Sequence, residues 1–326
     1  MSNLKFTARL QSFLIEPELY WNKDKQHFTT IDCIERMAAT DGITHVEPNY
    51  PMHFRNHSVN EIKECVEKLG LAVSGVALRY DDDEQFRDGE MTASNPQVRR
   101  RALDLMHEAA DICRQLGGTT ITVWSAYDGF DYSFQVEYAD AWDALIAGVS
   151  EVAKAHPDMK ISIEYKPYEP RPFYLINDIG TTLLAIHDIG YQNVGVTLNF
   201  AHMLMKKEQP AYALTLAAER GRLFGVHLND GYGSHDDQLV TGSVNLMQTL
   251  ELVYYMRKYN YQDVVFFDTS PVREDPVKEC ETNIAVFTAM WEFIERIGDD
   301  HVAALINTGD ATTIQQRLLC ERLLNM

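Results

Sequence analysis

The chain has 326 residues, of which 48 are acidic and 29 basic, for a formal net charge of −19. Hydrophobic residues make up 45% and charged ones 24%, a composition with enough apolar material for a sizeable core. The charge argues against a partner held through phosphates, because a nucleic-acid surface needs a basic face to displace counterions; a small ligand or a metal ion remains open.

The N-terminal stretch from Met1 to Tyr20 is too short and too interrupted for a signal peptide or a membrane span, so the cytoplasm is the expected location. Five cysteines, Cys33, Cys65, Cys113, Cys280 and Cys320, form no CxxC pair, which argues against a disulfide framework and a zinc ribbon. Along the chain, short apolar runs alternate with longer amphipathic ones. The predicted strands are Phe6–Phe13, Ile43–Glu47, Ala72–Arg79, Thr119–Trp124, Lys160–Glu164, Val194–Leu198, Leu223–Leu228 and Val264–Phe267. They are near-continuously apolar, as strands covered on both faces must be. The predicted helices are Thr30–Ala39, Val59–Leu69, Val98–Leu116, Tyr138–Ala155, Asp178–Ile189, Pro210–Glu219, Val244–Tyr259 and Pro276–Ile297. Eight strand–helix pairs imply parallel strands joined by right-handed crossovers. The predicted fold is an α/β (β/α)8 TIM barrel over 1–298, with a C-terminal helical extension over 299–326. A doubly wound open sheet is disfavoured, since no glycine-rich turn follows the first strand.

Barrel chemistry gathers at the C-terminal ends of the strands. Strands five to eight end in Glu164, Asn199, His227 and Asp268. Carboxylate, amide and imidazole donors converging from neighbouring strands suit one hard divalent cation, Mn²⁺, Mg²⁺ or Co²⁺. His202 and Asp236 are the candidates for a second ion. Any one of these residues alone reads more simply as a helix cap or a core group, Asn199 above all; four in register favour the metal. The acidic run from Asp81 to Glu84 reads as a solvated loop, its spacing being wrong for calcium.

Several of these segments resemble xylose isomerases. The segment from Phe86 to Arg101 resembles the one before their third barrel helix, and Val123-Trp124 their fourth strand end. Glu164-Tyr-Lys-Pro-Tyr-Glu-Pro-Arg171 is similar to their Glu-Pro-Lys-Pro-Asn-Glu-Pro-Arg motif, and Phe267-Asp-Thr-Ser-Pro-Val-Arg273 to their last metal-binding strand. His227-Leu-Asn-Asp230 with the stretch from Asp236 to Ser243 is closer to bacterial rhamnose isomerases. The resemblance implies an aldose–ketose isomerase with two metals. Glu164, Asn199, His227 and Asp268 match the ligands of the first ion. His202, Asp236 and Gln238 match the second, with a one-residue shift to Asp237 as the variant. Lys166 matches the lysine on the sugar's terminal oxygen, and Trp124 a wall of the pocket. Lys166, Asp236 and Glu164 form the expected catalytic set. Trp124, Glu47, His53 and Arg273 form the expected substrate-binding set, with Glu47 and His53 near the place of the ring-opening histidine. Asn199 and His227 stand where xylose isomerases carry Glu and Asp, which lowers the site's negative charge.

The expected partner is a small unphosphorylated sugar, with no nucleic acid or membrane, and the expected assembly is a homo-oligomer, a dimer or tetramer. Rhamnose, lyxose, mannose and apiose are the candidate substrates. A ketose 3-epimerase on the same barrel, with two opposed glutamates, is the alternative, as is a non-catalytic sugar-binding barrel.

Overall fold

A computed structural model describes residues 4–21, 27–80 and 83–323. Asp81 and Asp82, and with them half of the acidic run read as a solvated loop, lie outside the described residues. Eight parallel strands form the sheet: β1 (Phe6–Ala8), β2 (Asn49–Tyr50), β3 (Gly75–Arg79), β4 (Thr120–Trp124), β5 (Lys160–Glu164), β6 (Val194–Asn199), β7 (Leu223–Leu228) and β8 (Val265–Phe267). Their order runs β1-β8-β7-β6-β5-β4-β3-β2. The last gap is closed where the Thr44 amide donates to the Phe6 carbonyl at 3.1 Å and the Phe6 amide donates to Thr44 Oγ1 at 2.9 Å. The sheet is therefore a closed barrel, as the strand–helix alternation predicts. Among the described residues, no helix is long and apolar enough to cross a membrane.

The crossover helices are Thr30–Met37, Val59–Lys68, Pro96–Leu116, Tyr138–Ala155, Ile179–Ile189, Pro210–Glu219, Leu246–Lys258 and Pro276–Ile297. Their starts are written locally. Thr29 with Asp32, Ser58 with Glu61 and Asp178 with Thr181 form reciprocal capping boxes. Pro96, Pro210 and Pro276 open three more helices at a position whose N–H would go unused. Gly117 ends the long third helix at φ 82°, a left-handed conformation that costs a residue without Cβ little. Beyond the barrel, Asp299–Asn307 is helical and buries Val302 and Leu305, followed by Ala311–Gln315 and a π-helical Gln316–Leu323.

Several elements differ from the sequence reading, among them Ala72–Arg79, which splits into Ala72–Val73 and Gly75–Arg79, and the additional helix Phe200–Lys206. The run Phe6–Phe13 yields only three strand residues, and Leu10–Leu14 turns into a 3-10 helix that buries Leu10 and Phe13. Ile43–Glu47 gives way to a bridge at His45–Val46 and a strand displaced to Asn49–Tyr50. A small antiparallel pair, Gly129–Phe130 with Phe173–Tyr174, joins the loops after β4 and β5. Continuous apolarity marks burial, not backbone type, so such boundaries are weakly specified.

Candidate metal and sugar site

Register brings the four strand ends together. Asn199 pairs directly with His227 across β6 and β7, and Thr197 with Glu164 across β6 and β5. Asp268 follows β8, its amide donating to the Leu228 carbonyl at 2.9 Å. The His227 ring stacks on Phe266 with centroids 4.4 Å apart, which fixes its plane. Below it, a Cβ on Gly225 would come within 2.5 Å of Thr197 Oγ1, so the strands approach closely only because that residue is glycine.

Ligand atoms of Glu164, His227 and Asp268 all lie within 4.8 Å of one another. Glu164 Oε1 accepts from His227 Nδ1 at 3.1 Å and from Asn199 Nδ2 at 3.1 Å. The same Asn199 nitrogen donates to Asp268 Oδ2 at 2.8 Å. Burial alone would raise the Glu164 carboxyl, yet His227 and Arg79 hold it well below the usual carboxylate range. An ionised carboxylate, a second carboxylate and an imidazole nitrogen, with no thiolate among them, fit a hard divalent cation.

Asn199 sits among these groups with its nitrogen toward the carboxylates. Its oxygen accepts from Asn229 Nδ2 at 3.2 Å and caps the helix Phe200–Lys206. In this arrangement Asn199 bridges two acids through its nitrogen; offering its oxygen to a cation requires the amide to turn. Asn229, whose Oδ1 also accepts from the Ala201 amide at 2.8 Å, is the residue that holds it.

The second set lies beside the first. His202 Nδ1 donates to the Tyr165 carbonyl at 2.8 Å, which aims Nε2 at Asp236 Oδ2, 3.3 Å away. Lys166 Nζ lies 3.0 Å from the same oxygen and 3.3 Å from Glu169 Oε2. Burial opposes the charge on Asp236, but His202 and Lys166 hold its carboxyl below the ordinary range. Asp236 Oδ1 is buried and accepts no hydrogen bond among the described residues. Gln238 donates to Asp236 Oδ2 at 3.4 Å and gives its own oxygen to Arg9. Asp237, the one-residue variant, lies outside the cavity lining, and its Oδ2 accepts the Tyr232 amide at 2.7 Å.

A cavity of about 200 Å³ opens onto both sets, lined by Trp124, Glu164, Lys166, His202, Asp236, Gln238 and Asp268, with Arg9, Gln11, Asn49, Met52, Arg79 and Phe266. Trp124 lies between two cations, Arg79 and Lys166, each 5.6 Å from its ring centre. Arg79 also pairs with Glu164 at 3.1 Å. Sequence reasoning missed Arg79, Arg9 and Asn229, since a single residue after a strand carries no spacing signal.

Three expected substrate residues stand elsewhere. Glu47 is buried in a separate cavity beneath the site, where Ser74 Oγ donates to it at 3.1 Å. The displaced strand explains this: Asn49, two residues on, reaches the upper cavity instead. His53 is buried, accepts the Asn49 amide at 2.7 Å and has its pKa pushed down to about 4 by burial, which makes it a neutral prop for β2. Arg273 is exposed and lies outside the cavity lining; its carbonyl accepts from Tyr20.

Residues 35–290 match the family model described as xylose isomerase-like TIM barrel. The xylose isomerase of Thermus thermophilus is 29% identical over 231 residues, covering 69% of this chain and 60% of the relative. That of Thermus caldophilus is 27% identical over 227 residues, covering 68% and 59%. The chain thus spans about three fifths of the length of these relatives. Among solved structures, L-ribulose 3-epimerase superposes with a TM-score of 0.67 at 18% identity, covering 91% of this chain and 96% of that one. The D-psicose 3-epimerase from Clostridium cellulolyticum H10 gives 0.66 at 16% identity, covering 84% and 97%. At those identities the likeness is one of fold.

Proposed function

Because the chain belongs to the xylose isomerase-like TIM-barrel family, we propose that it is a divalent-metal-dependent sugar isomerase interconverting an aldose and its ketose. In this reading the catalytic barrel is 1–298 and the rest, 299–326, is a helical extension. Glu164, His227 and Asp268 hold the ion, Mn²⁺ or Mg²⁺ with Co²⁺ as a substitute, and Asn199 joins them once its amide turns. The ion, when bound, supplies Lewis-acid polarisation of neighbouring sugar oxygens.

The side chains do the rest. Lys166 donates to the oxygen on C1, which gains negative charge as hydrogen moves between C1 and C2. Asp236, whose buried Oδ1 has no partner among the described residues, accepts the hydroxyl proton of the bound sugar once its carboxylate turns that oxygen into the cavity. Trp124 walls the cavity against water. The buried ammonium of Lys166 inside the cavity is the observation that carries the isomerase over the epimerase. A cation at C1 serves a C1–C2 transfer and has no task in chemistry at C3.

A second reading stays in view for one geometric reason. Glu164 and Asp268 approach the same Asn199 nitrogen, at 3.1 and 2.8 Å, so two carboxylates flank one spot, as a ketose 3-epimerase requires. A panel of small aldoses, including rhamnose, lyxose, mannose and apiose, incubated with Mn²⁺, Co²⁺ and Mg²⁺, separates the two. The isomerase yields a ketose from an aldose, whereas an epimerase is inert to aldoses and converts one ketose into another.

A further inference from the structure

One side of the cavity has no part in that chemistry. Strands β1 and β2 deliver Arg9, Gln11 and Asn49 to the lining, and no acid comes from either strand. The Arg9 guanidinium donates to Gln238, and among the described residues it forms no ion pair. Asn49 is 9% exposed, yet its carboxamide makes no hydrogen bond among the described residues, and neither does that of Gln11. These carboxamides and the guanidinium face the open cavity, so donors not used up by acids line this side and are available to a ligand.

Charge points the same way. The cavity holds three cations, Arg9, Arg79 and Lys166, and three carboxylates, Glu164, Asp236 and Asp268. Arg79 is matched by Glu164 at 3.1 Å and Lys166 by Asp236 at 3.0 Å. Arg9 is left, since the remaining carboxylate, Asp268, belongs with Glu164 to the proposed metal set. So a chain of net charge −19 keeps one unmatched guanidinium in its site. The hydroxyls of a neutral sugar leave that charge unpaired, whereas a carboxylate accepts from both arms of the guanidinium fork and from amides beside it.

We propose that the substrate is a sugar acid whose carboxylate sits on Arg9, Gln11 and Asn49 while its carbonyl end reaches Lys166. This deepens the isomerase reading and rests on it. The test is calorimetric binding, with and without Mn²⁺, of galacturonate and glucuronate against galactose, glucose and their 6-phosphates. Wild-type protein should bind each acid about tenfold more tightly than its parent sugar, the worth of one charge-assisted hydrogen bond. The gap should shrink as salt rises from ~0.02 to ~0.3 M. Arg9→Met should abolish the acid-to-neutral ratio, Arg9→Lys should restore part of it, and Asn49→Ser should lower it. Equal binding of acid and parent, or a ratio that survives Arg9→Met, overturns the proposal, and so does tighter binding of the phosphates than of the acids. Metal-dependent isomerisation of neutral sugars without any preference for acids removes this inference and leaves the isomerase standing. Failure of every sugar to bind removes both.

Discussion

Lys166 Nζ and Asp236 Oδ2 are 3.0 Å apart in the cavity beside the proposed metal set, and the other Asp236 oxygen, Oδ1, is buried without a partner among the described residues. The pair is two-faced: one oxygen is neutralised by the ammonium and by His202, and the other is closed off with no hydrogen bond among the described residues. A carboxylate satisfied on both sides would be structural. Here half of its accepting capacity is unspent.

Lys166→Met keeps the apolar stem and removes the charge. The expected loss in kcat/KM is at least ~100-fold on the best aldose, the scale of losing one oxyanion donor, with metal content nearly unchanged. Steady-state kinetics beside metal analysis checks this. A change under threefold would assign Lys166 to holding Asp236 and Glu169.

His227→Ala and Asp268→Ala should each lose the metal and most turnover while the barrel stays folded. Both residues sit at strand ends, past the apolar layers of the core. Metal stoichiometry and circular dichroism on the purified variants decide it. Retention of wild-type metal content by either variant would place the ion elsewhere.

Asn199→Asp exchanges one donor shared by two carboxylates for a third negative charge. Asp caps a helix as well as Asn, so the start of Phe200–Lys206 is preserved. The metal-free protein should lose about 1–3 kcal/mol of stability, and metal should bind more tightly. Thermal unfolding with and without Mn²⁺ reads both. A metal-free variant as stable as wild type would contradict the bridging role of Asn199.

Glu90 is fully buried, and both of its oxygens accept the Tyr127 amide, each at 3.0 Å. Burial, with Asp128 beside it, raises its pKa well above 4.5. Between 4.5 and the folded value the native chain keeps a proton that the unfolded chain releases, so stability is full below 4.5 and falls as pH rises. Glu90→Gln keeps the shape and removes the proton linkage. Its stability relative to wild type should therefore grow with pH, by up to about 1.4 kcal/mol per unit. Melting curves collected as pH is raised from 4.5 measure it. A difference independent of pH would mean that Glu90 is ionised in the folded chain.

The legible parts of the sequence were those where local and tertiary demands coincide. Lys160–Glu164 and Leu223–Leu228 form as predicted because β-branched and aromatic runs there are buried between the helices and the barrel interior. Tyr138–Ala155 does so on its amphipathic period, and Pro276–Ile297 because period and helix start, Asp275 with Pro276, agree. In the site, Glu164, His227 and Asp268 were visible as polar residues closing apolar strands, and register brought them together. The region around β2 was not legible. Its strand is two residues long, and the alternation that would tell Glu47 from Asn49 is too short to fix which one faces up. Arg9 and Arg79 were hidden because an arginine after a strand is usually a solvated end; only the fold turns these two inward.

The most direct measurement follows a hydrogen. An aldose deuterated at C2, turned over in ordinary water with Mn²⁺, is converted to product and read by NMR. The account expects a ketose that carries the deuterium at C1, unexchanged, and no product from metal-free protein. Deuterium lost to water, or a ketose substrate inverted at C3 under the same conditions, would contradict the transfer between C1 and C2 and favour the epimerase.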